Sequence, residues 1–354
     1  MLCPRTLGLR ARFLAAAILC GAAVGLGAPA PAAAHGDAVA IELPRPPPSP
    51  TVAEQALAAA RGAIILGATP ADHQVAIADA WAHPERALTE IDFHASIVIG
   101  VGVFSLLYAW GVGPARRRWR LGPPVMRQQI VCFSLAMLLL VVSLNGPMHH
   151  LSDYFLLSVH MLQHMLLALL FPPLLLAGIP GWIFSPLLRR DAWLRVGRFL
   201  TRPITALLLF TFTMIGWHVP QAYELALRDH DVHIAQHLMF LATAVILWWP
   251  IAGPATELPR LTYLWQIAYL FFMQLPMIAL GAVLTMADGP IYPFYATAPR
   301  VFSFLPPLED QQIAGLFMWL PGHLVLWIPM GMIFFRWWRA QNDEATGLAP
   351  GRTS

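Results

Sequence analysis

YFLLSVHMLQHMLLALLFPPLLLAG, at positions 154–178, is almost wholly apolar and has about the length that a helix needs to span a bilayer. It nevertheless carries His160 and His164, and on a helix this i,i+4 spacing places both imidazoles on the same face. A polar pair inside a membrane span is costly unless it faces a partner, a cavity or a ligand. A second pair, His233 and His237, opens another apolar segment, so two helices of this chain carry histidines whose presence needs a reason.

The composition of the whole chain is that of an integral membrane protein. Of its 354 residues, 58% are hydrophobic and 12% are charged, and the mean hydropathy is +0.61. A soluble domain carries about 25% charged residues. All 22 basic residues are arginines, and the formal net charge is only +3. Most of the arginines lie in short loops beside apolar segments, so they indicate membrane topology and need no nucleic-acid partner.

The N-terminal quarter of the chain divides into two parts that precede the apolar segments. Residues 1–34 combine an arginine-containing start, an apolar run and an Ala-Ala-Ala sequence, which predicts a cleaved secretory signal peptide. An uncleaved signal anchor is the alternative. Residues 35–90 are rich in proline and alanine and predict an extracytoplasmic arm. Cys132 is the one cysteine beyond the predicted signal peptide, so no disulfide framework and no cysteine-based metal motif is expected.

Seven apolar segments follow, and we expect each to cross the membrane as a helix. Arginine occurs thirteen times in the loops after segments one, three and five and on the C-terminal flank, but only twice in the opposite loops. The positive-inside rule therefore predicts an all-α polytopic membrane protein, a bundle of about seven transmembrane helices with its N-terminus outside and its C-terminus cytoplasmic. The bundle occupies residues 91–339 and a cytoplasmic tail 340–354, and the predicted spans are 93–112, 127–145, 154–178, 203–219, 231–251, 261–285 and 311–335.

Most of the histidines fall in the outer half of this predicted bundle. His160 and His237 each lie about six residues inside a span, which is about 9 Å from the outer surface. His218 ends span four on the same side, whereas His149 and His150 are expected in the outer loop before span three. Imidazole is the commonest metal ligand in proteins, and together with thioether it suits copper. We predict a metal site built from His160, His164, His233, His237, His218 and His149, with a set of packed, hydrogen-bonded histidines as the alternative.

Three other histidines are set apart from this group. His323 falls in the inner half of a span and is given no role, and His73 and His83 lie in the arm, where we expect them to be solvated. Carboxylates accompany the candidate ligands at the outer side, namely Asp153, Glu224, Asp229, Asp231, Asp288, Glu309 and Asp310.

Several motifs stand out along the membrane part of the chain, namely GPMHHLSDY at 146–154, SVHMLQHMLL at 158–167, FPPLLLAGIPGW at 171–182, WHVPQAY at 217–223, LWWP at 247–250, YPFY at 292–295, DQQIAG at 310–315 and WLPG at 319–322. Taken together, they resemble the CtaG family of membrane-embedded cytochrome c oxidase assembly proteins. The resemblance covers about residues 90–338. The arm at 35–90 has no counterpart in it, and His323 stands where a small residue is expected.

The resemblance implies a non-enzymatic cytochrome c oxidase assembly factor that handles copper for the haem–copper active site. It further implies the bacterial inner membrane, with the functional histidines toward the periplasm. The expected partners are the oxidase subunit that carries this active site, periplasmic copper donors and the lipid bilayer. The residues themselves leave two alternatives open: a b-type haem protein with one axial histidine from each helix, and a copper or proton transporter that uses the histidines and Asp310 as a relay.

Overall fold

The computed structural model describes residues 70–89 and 94–345, and every regular element within them is a helix. The predicted signal peptide at 1–34, the first part of the arm and the end of the predicted tail lie outside the described residues. We number the main helices α1 (Pro70–Ala82), α2 (Ala95–Trp119), α3 (Arg127–Ser143), α4 (Gly146–Tyr154), α5 (Leu157–Gly178), α6 (Asp191–Leu200), α7 (Pro203–His218), α8 (Pro220–Arg228), α9 (His230–Ala252), α10 (Tyr263–Met286), α11 (Pro293–Thr297) and α12 (Pro307–Ala345).

The described helices include five that are long and apolar enough to cross a membrane, namely α2, α5, α9, α10 and α12. Two bent pairs bring the number to seven, because α3 and α4 meet at 47° and α6 and α7 at 66°. These elements coincide with the seven predicted segments, so the expectation of an all-helical, multi-pass protein is confirmed, with five to seven spans. Large apolar side chains such as Leu106, Ile204 and Phe212 are at least 70% exposed, as lipid-facing residues are. The orientation of the termini stays a prediction.

The connection between α3 and α4 corrects the predicted loop before span three. Gly146 has a φ of 73°, a left-handed conformation that favours glycine, and it turns the chain from one helix directly into the next. His149 and His150 therefore lie on a helix and are buried, not in a loop. α5 begins at Leu157, three residues later than the predicted span, because α4 continues to Tyr154.

α5 is joined to α9 by a hydrogen bond that its own prolines make necessary. Pro172 has no N–H, so the carbonyl of Ala168 one turn earlier lacks its usual helical donor. The helix opens into a π turn at Leu166–Leu170, and the indole N–H of Trp248 on α9 donates to the Ala168 oxygen at 2.9 Å. The two helices that carry the histidine pairs are thereby fixed side by side.

α12 packs against both α10 and α5. A Cβ atom on Gly315 would lie 2.6 Å from the Gly281 carbonyl oxygen, so the backbones of α12 and α10 approach closely at these glycines. Near the start of α12, the Asp310 carboxylate accepts the backbone N–H groups of Leu157 at 2.8 Å and Ser158 at 3.2 Å. Asp310 thus satisfies free donors at the N-terminus of α5 and fixes the helix that carries His160 and His164.

The described end of the arm is a helix that lies on the bundle. α1 contacts α4, α8 and α9, and the indole N–H of Trp81 donates to the Tyr154 carbonyl at 2.9 Å. His73 is only 7% exposed, and its Nε2 lies 2.9 Å from the Leu227 carbonyl oxygen. The expectation that His73 is solvated is therefore wrong, since α1 packs this face against the bundle. His83, by contrast, is partly exposed.

Candidate metal centre

Four of the predicted ligands come together between α5 and α9, and we name His160, His164, His233 and His237 the inner histidine group. The ring centroid of His160 lies 6.0 Å from that of His233 and 6.4 Å from that of His237. The His164 and His237 rings are stacked at 5.3 Å. Exposed fractions of 0%, 4%, 4% and 8% show that all four side chains are buried. The two i,i+4 pairs therefore face each other across the helix interface.

Within each pair, the two imidazoles meet through their Nε2 atoms. The Nε2 atoms of His160 and His164 are 2.7 Å apart, and so are those of His233 and His237. At this distance one nitrogen donates a proton to the other, so each neutral pair holds one proton between its rings. For an ion to be bound by both nitrogens, the donor ring must carry its proton on Nδ1 instead, after which both Nε2 lone pairs face the ion and both imidazoles stay neutral.

The hydroxyl of Tyr295 on α11 orients His160. It donates to the Ser152 carbonyl at 2.5 Å and lies 3.1 Å from Nδ1 of His160. Because burial, together with the Asp153 charge, raises the pKa of Tyr295 well above its usual value, the hydroxyl stays protonated. Its one proton is given to Ser152, so the hydroxyl oxygen accepts the proton on Nδ1 of His160. Nε2 of His160 is left with its lone pair, which is the form that binds a metal.

The carboxylate of Asp153 lies near Nδ1 of His233, at ion-pair distance and not at hydrogen-bond distance. Its Oδ2 lies 3.8 Å from Nδ1 of His233, and Ser152 donates its hydroxyl to Oδ1 at 2.9 Å. A carboxylate beside Nδ1 favours the tautomer with its proton on that nitrogen, which again leaves Nε2 unprotonated. Each pair thus contains one histidine oriented from outside the pair. Asp153 is also buried, so its negative charge lies where it can offset that of a bound cation.

His149 lies at the edge of the inner histidine group. Its Nδ1 is 3.3 Å from Oδ1 of Asp153 and 3.2 Å from the amide nitrogen of Gln163. Its ring centroid is 6.3 Å from that of His233, so His149 stands on the opposite side of the same carboxylate. The structure therefore places this predicted ligand beside the four and not among them.

His218 is separated from the four by aromatic rings. Its Nδ1 donates to the Met214 carbonyl at 2.7 Å, while its ring neighbours are Tyr223 at 6.1 Å and Phe240 at 6.4 Å. Tyr223 in turn contacts His160 at 5.3 Å, and Phe240 contacts His164 at 4.6 Å. His323, which was given no role, contacts the Trp319 carbonyl of its own helix.

The inner histidine group has the spacing of a metal site but not its closed geometry. Throughout the part of the chain that the structure describes, no group of three or more His, Cys, Asp or Glu side chains is arranged to hold a metal ion as it stands. Since a metal–imidazole bond is about 2 Å and the ring centre lies about 1 Å further, two rings on one ion have centroids about 5–6 Å apart. The separations between the two pairs approach this range, so a small rotation of the rings would complete a site.

Tyr295 is a residue of the candidate site that sequence reasoning did not assign. It lies 135 positions from His160, and periodicity carries no information about such a contact. The sequence feature that could have indicated Tyr295 is the YPFY segment at 292–295, where tyrosines stand on either side of a Pro-Phe pair between two apolar spans.

Relatives of this chain by sequence occur in three mycobacteria. The chain is 27% identical over 74% of its length to uncharacterised proteins of Mycobacterium bovis and Mycobacterium tuberculosis, and 26% identical over 71% to one of Mycobacterium leprae. It spans about two fifths of the length of these relatives, 41% in the first two and 39% in the third. No solved structure matches.

The family comparison covers most of the membrane part. Residues 106–340 match the family described as cytochrome c oxidase caa3 assembly factor, and this range is well over half of the 354-residue chain. It includes both histidine pairs, Asp153 and Tyr295. The chain therefore belongs to the cytochrome c oxidase caa3 assembly factor (Caa3_CtaG) family.

Proposed function

We propose that this member of the family handles copper for the haem–copper site of the oxidase, with Cu(I) as its cargo and the inner histidine group as its binding site. The observation that carries the proposal is the pairing of Nε2 atoms at 2.7 Å on two facing helices. Tyr295 and Asp153 orient one imidazole of each pair, so that Nε2 can act as the ligand. Imidazole donors suit copper among the common transition metals.

Charge balance favours a monovalent ion in this position. An isolated charge buried in a membrane protein is strongly unfavourable, whereas a charge with a nearby counter-ion is tolerated. Neutral imidazoles add no charge, and Asp153 supplies one negative charge beside His233. Cu(I) with Asp153 is therefore neutral overall, while a divalent ion would leave one net positive charge.

The aromatic surroundings favour a bare ion over haem. The 6.4 Å between the ring centroids of His160 and His237 would by itself suit the two axial ligands of a b-type haem, but the macrocycle also needs free space around these rings. The rings of His164 and His233 lie against the same pair, and Tyr223 packs on His160 at 5.3 Å. A small ion needs only ring rotation, whereas a porphyrin would require the helices to separate.

The same proposal assigns partners and location. The protein would lie in the bacterial inner membrane with the inner histidine group toward the periplasm, receive copper from periplasmic donors and pass it to the oxidase subunit that carries the haem–copper site. Binding and release of cargo need no covalent chemistry, which accords with a non-catalytic role.

Copper analysis of the purified full chain tests the proposal. We expect wild-type protein in detergent to keep Cu(I) against a competing chelator, and His160→Ala and His237→Ala each to keep one Cu(I) fewer per chain. His83→Ala is the matched control, because His83 lies in the arm beside Glu85 at 3.3 Å and outside the inner histidine group. Cells carrying either inner variant should keep the oxidase polypeptides but lose copper-dependent oxidase activity.

Two further readouts separate the alternatives. A Soret band in the purified protein that is lost in the same variants would show that the histidines bind haem and not copper. Copper flux into liposomes that contain the protein, at rates that need no oxidase partner, would identify a transporter instead of an assembly factor.

A further inference from the structure

A second set of imidazoles lies outside the inner histidine group, and we name His73, His94, His149 and His230 the outer histidine group. The ring centroids of His73 and His230 are 5.6 Å apart, and those of His94 and His230 are 5.9 Å apart. His94 and His149 meet edge to face at 4.5 Å. Each member comes from a different place in the chain: α1, the residue before α2, α4 and the first residue of α9.

The outer histidine group is continuous with the inner one through a single carboxylate. Asp153 has Oδ1 at 3.3 Å from Nδ1 of His149 and Oδ2 at 3.8 Å from Nδ1 of His233. The rings of His149 and His233 are themselves 6.3 Å apart. A continuous row of imidazoles therefore runs from His73 to the inner histidine group, with Asp153 where the two groups meet. Successive ring centroids in this row are close enough for neighbouring rings to bind one ion.

The two groups differ in their access to solvent. All four members of the inner histidine group are buried, whereas His94 and His230 of the outer group are partly exposed. An ion that arrived from outside the bundle would meet His230 before it met His233, which lies one turn further along α9.

The arm helix is attached firmly enough to contribute a ligand. His73 Nε2 lies 2.9 Å from the Leu227 carbonyl and Gln74 donates to the Arg228 carbonyl at 2.8 Å, which ties α1 to the end of α8. Since a carbonyl can only accept, the proton of His73 is on Nε2 and its Nδ1 keeps the lone pair that a metal needs. The bond to Leu227 therefore orients His73 as Tyr295 orients His160.

We propose that the outer histidine group is a second metal site, which takes up Cu(I) at the surface and delivers it past Asp153 to the inner histidine group. Transfer would proceed by exchange of one imidazole for the next, with no change in oxidation state. The direction of delivery rests on the proposed function, whereas metal binding by the outer histidine group does not. The arm would then serve as the element that completes the uptake site.

Titration of the full chain in detergent with Cu(I) against a competing chelator tests this inference. Wild-type protein should fill two sites. His230→Ala, which removes the ring that contacts both His73 and His94, should fill one. A double variant, His160→Ala with His237→Ala, should also fill only one, because it keeps the outer site. His83→Ala, in the same arm but outside both groups, should fill two.

A second variant guards against misfolding of His230→Ala, since α9 is part of the core. His73→Ala changes only α1, and it should weaken the outer site by about tenfold or more while the inner site keeps its affinity. Retention of two full sites in both His230→Ala and His73→Ala would overturn the proposal. If the inner double variant filled two sites while His230→Ala filled one, the proposed function would fail and the outer site would stand.

Discussion

The indole N–H of Trp248 donates to the carbonyl of Ala168 at 2.9 Å, and this bond joins the two helices that carry the histidine pairs. Ala168 lies one helical turn after His164, where Pro172 leaves the carbonyl without an intrahelical donor. The position of α5 against α9, and with it the alignment of the inner histidine group, therefore depends on a contact between a proline-opened turn and a tryptophan.

Replacing Trp248 by phenylalanine should destabilise the protein through this carbonyl. Trp248→Phe keeps an aromatic ring but leaves a buried acceptor unpaired, which costs about 1–3 kcal/mol. Trp249→Phe is the matched control, because the Trp249 indole nitrogen is buried with no hydrogen-bond partner in the described chain. Thermal unfolding in detergent should show a lower midpoint for Trp248→Phe alone. Equal losses in both variants would mean that ring volume matters and the hydrogen bond does not.

Removing the Tyr295 hydroxyl should weaken copper binding without unfolding the site. Tyr295→Phe leaves Nδ1 of His160 without its oxygen acceptor, and loss of such an orienting partner lowers metal affinity by about 10–100-fold. Tyr292→Phe is the control, because the Tyr292 hydroxyl donates to the His218 carbonyl at 2.9 Å. Chelator competition measures both affinities. Equal Cu(I) affinities of Tyr295→Phe and Tyr292→Phe would contradict the tautomer assigned to His160.

The close contact between α10 and α12 predicts a strong glycine requirement. Gly315→Ala would bring a methyl group to 2.3 Å from Oγ1 of Thr285 and 2.6 Å from the Gly281 oxygen, so the helices must separate. Such overpacking costs about 1–3 kcal/mol. Gly331→Ala on the same helix meets nothing within 4 Å and should be neutral or stabilising. The thermal midpoints of the two variants give the comparison, and equal values would argue against close packing at Gly315.

The predicted orientation can be tested with reporter fusions after Arg339 and within the loop at 253–262. Both positions fall on the arginine-rich side, so both should be cytoplasmic. If a reporter at either position proved active only in the periplasm, the predicted orientation would be wrong. The inner histidine group would then lie toward the cytoplasm.

The helices and the two histidine pairs could be predicted because both signals are local. An apolar run of sufficient length predicts a span, and i,i+4 spacing places His160 beside His164 whatever the rest of the fold does. The pairing of the two helices followed from their shared depth in the membrane. Four of the six predicted ligands accordingly lie in one cluster.

The remaining features depend on contacts between distant parts of the chain. Asp310 was expected to relay protons in the transporter alternative, yet it caps α5 from 153 positions away. His73 looked solvated because nothing local shows that α1 lies on the bundle. His149 was placed in a loop because the sequence does not show that Gly146 adopts a left-handed conformation and lets the helix resume. Each of these depends on tertiary packing, which a periodic pattern does not contain.

The copper K-edge X-ray absorption spectrum of the full chain loaded with one equivalent of Cu(I) shows which atoms bind the ion. In His230→Ala protein, which keeps only the inner site, we predict a first shell of imidazole nitrogens alone at about 2 Å, and we expect it to disappear when His160 and His237 are also replaced by alanine. A first shell dominated by sulfur at about 2.3 Å, or a nitrogen shell that persists unchanged in this triple variant, would show that the inner histidine group does not hold the copper.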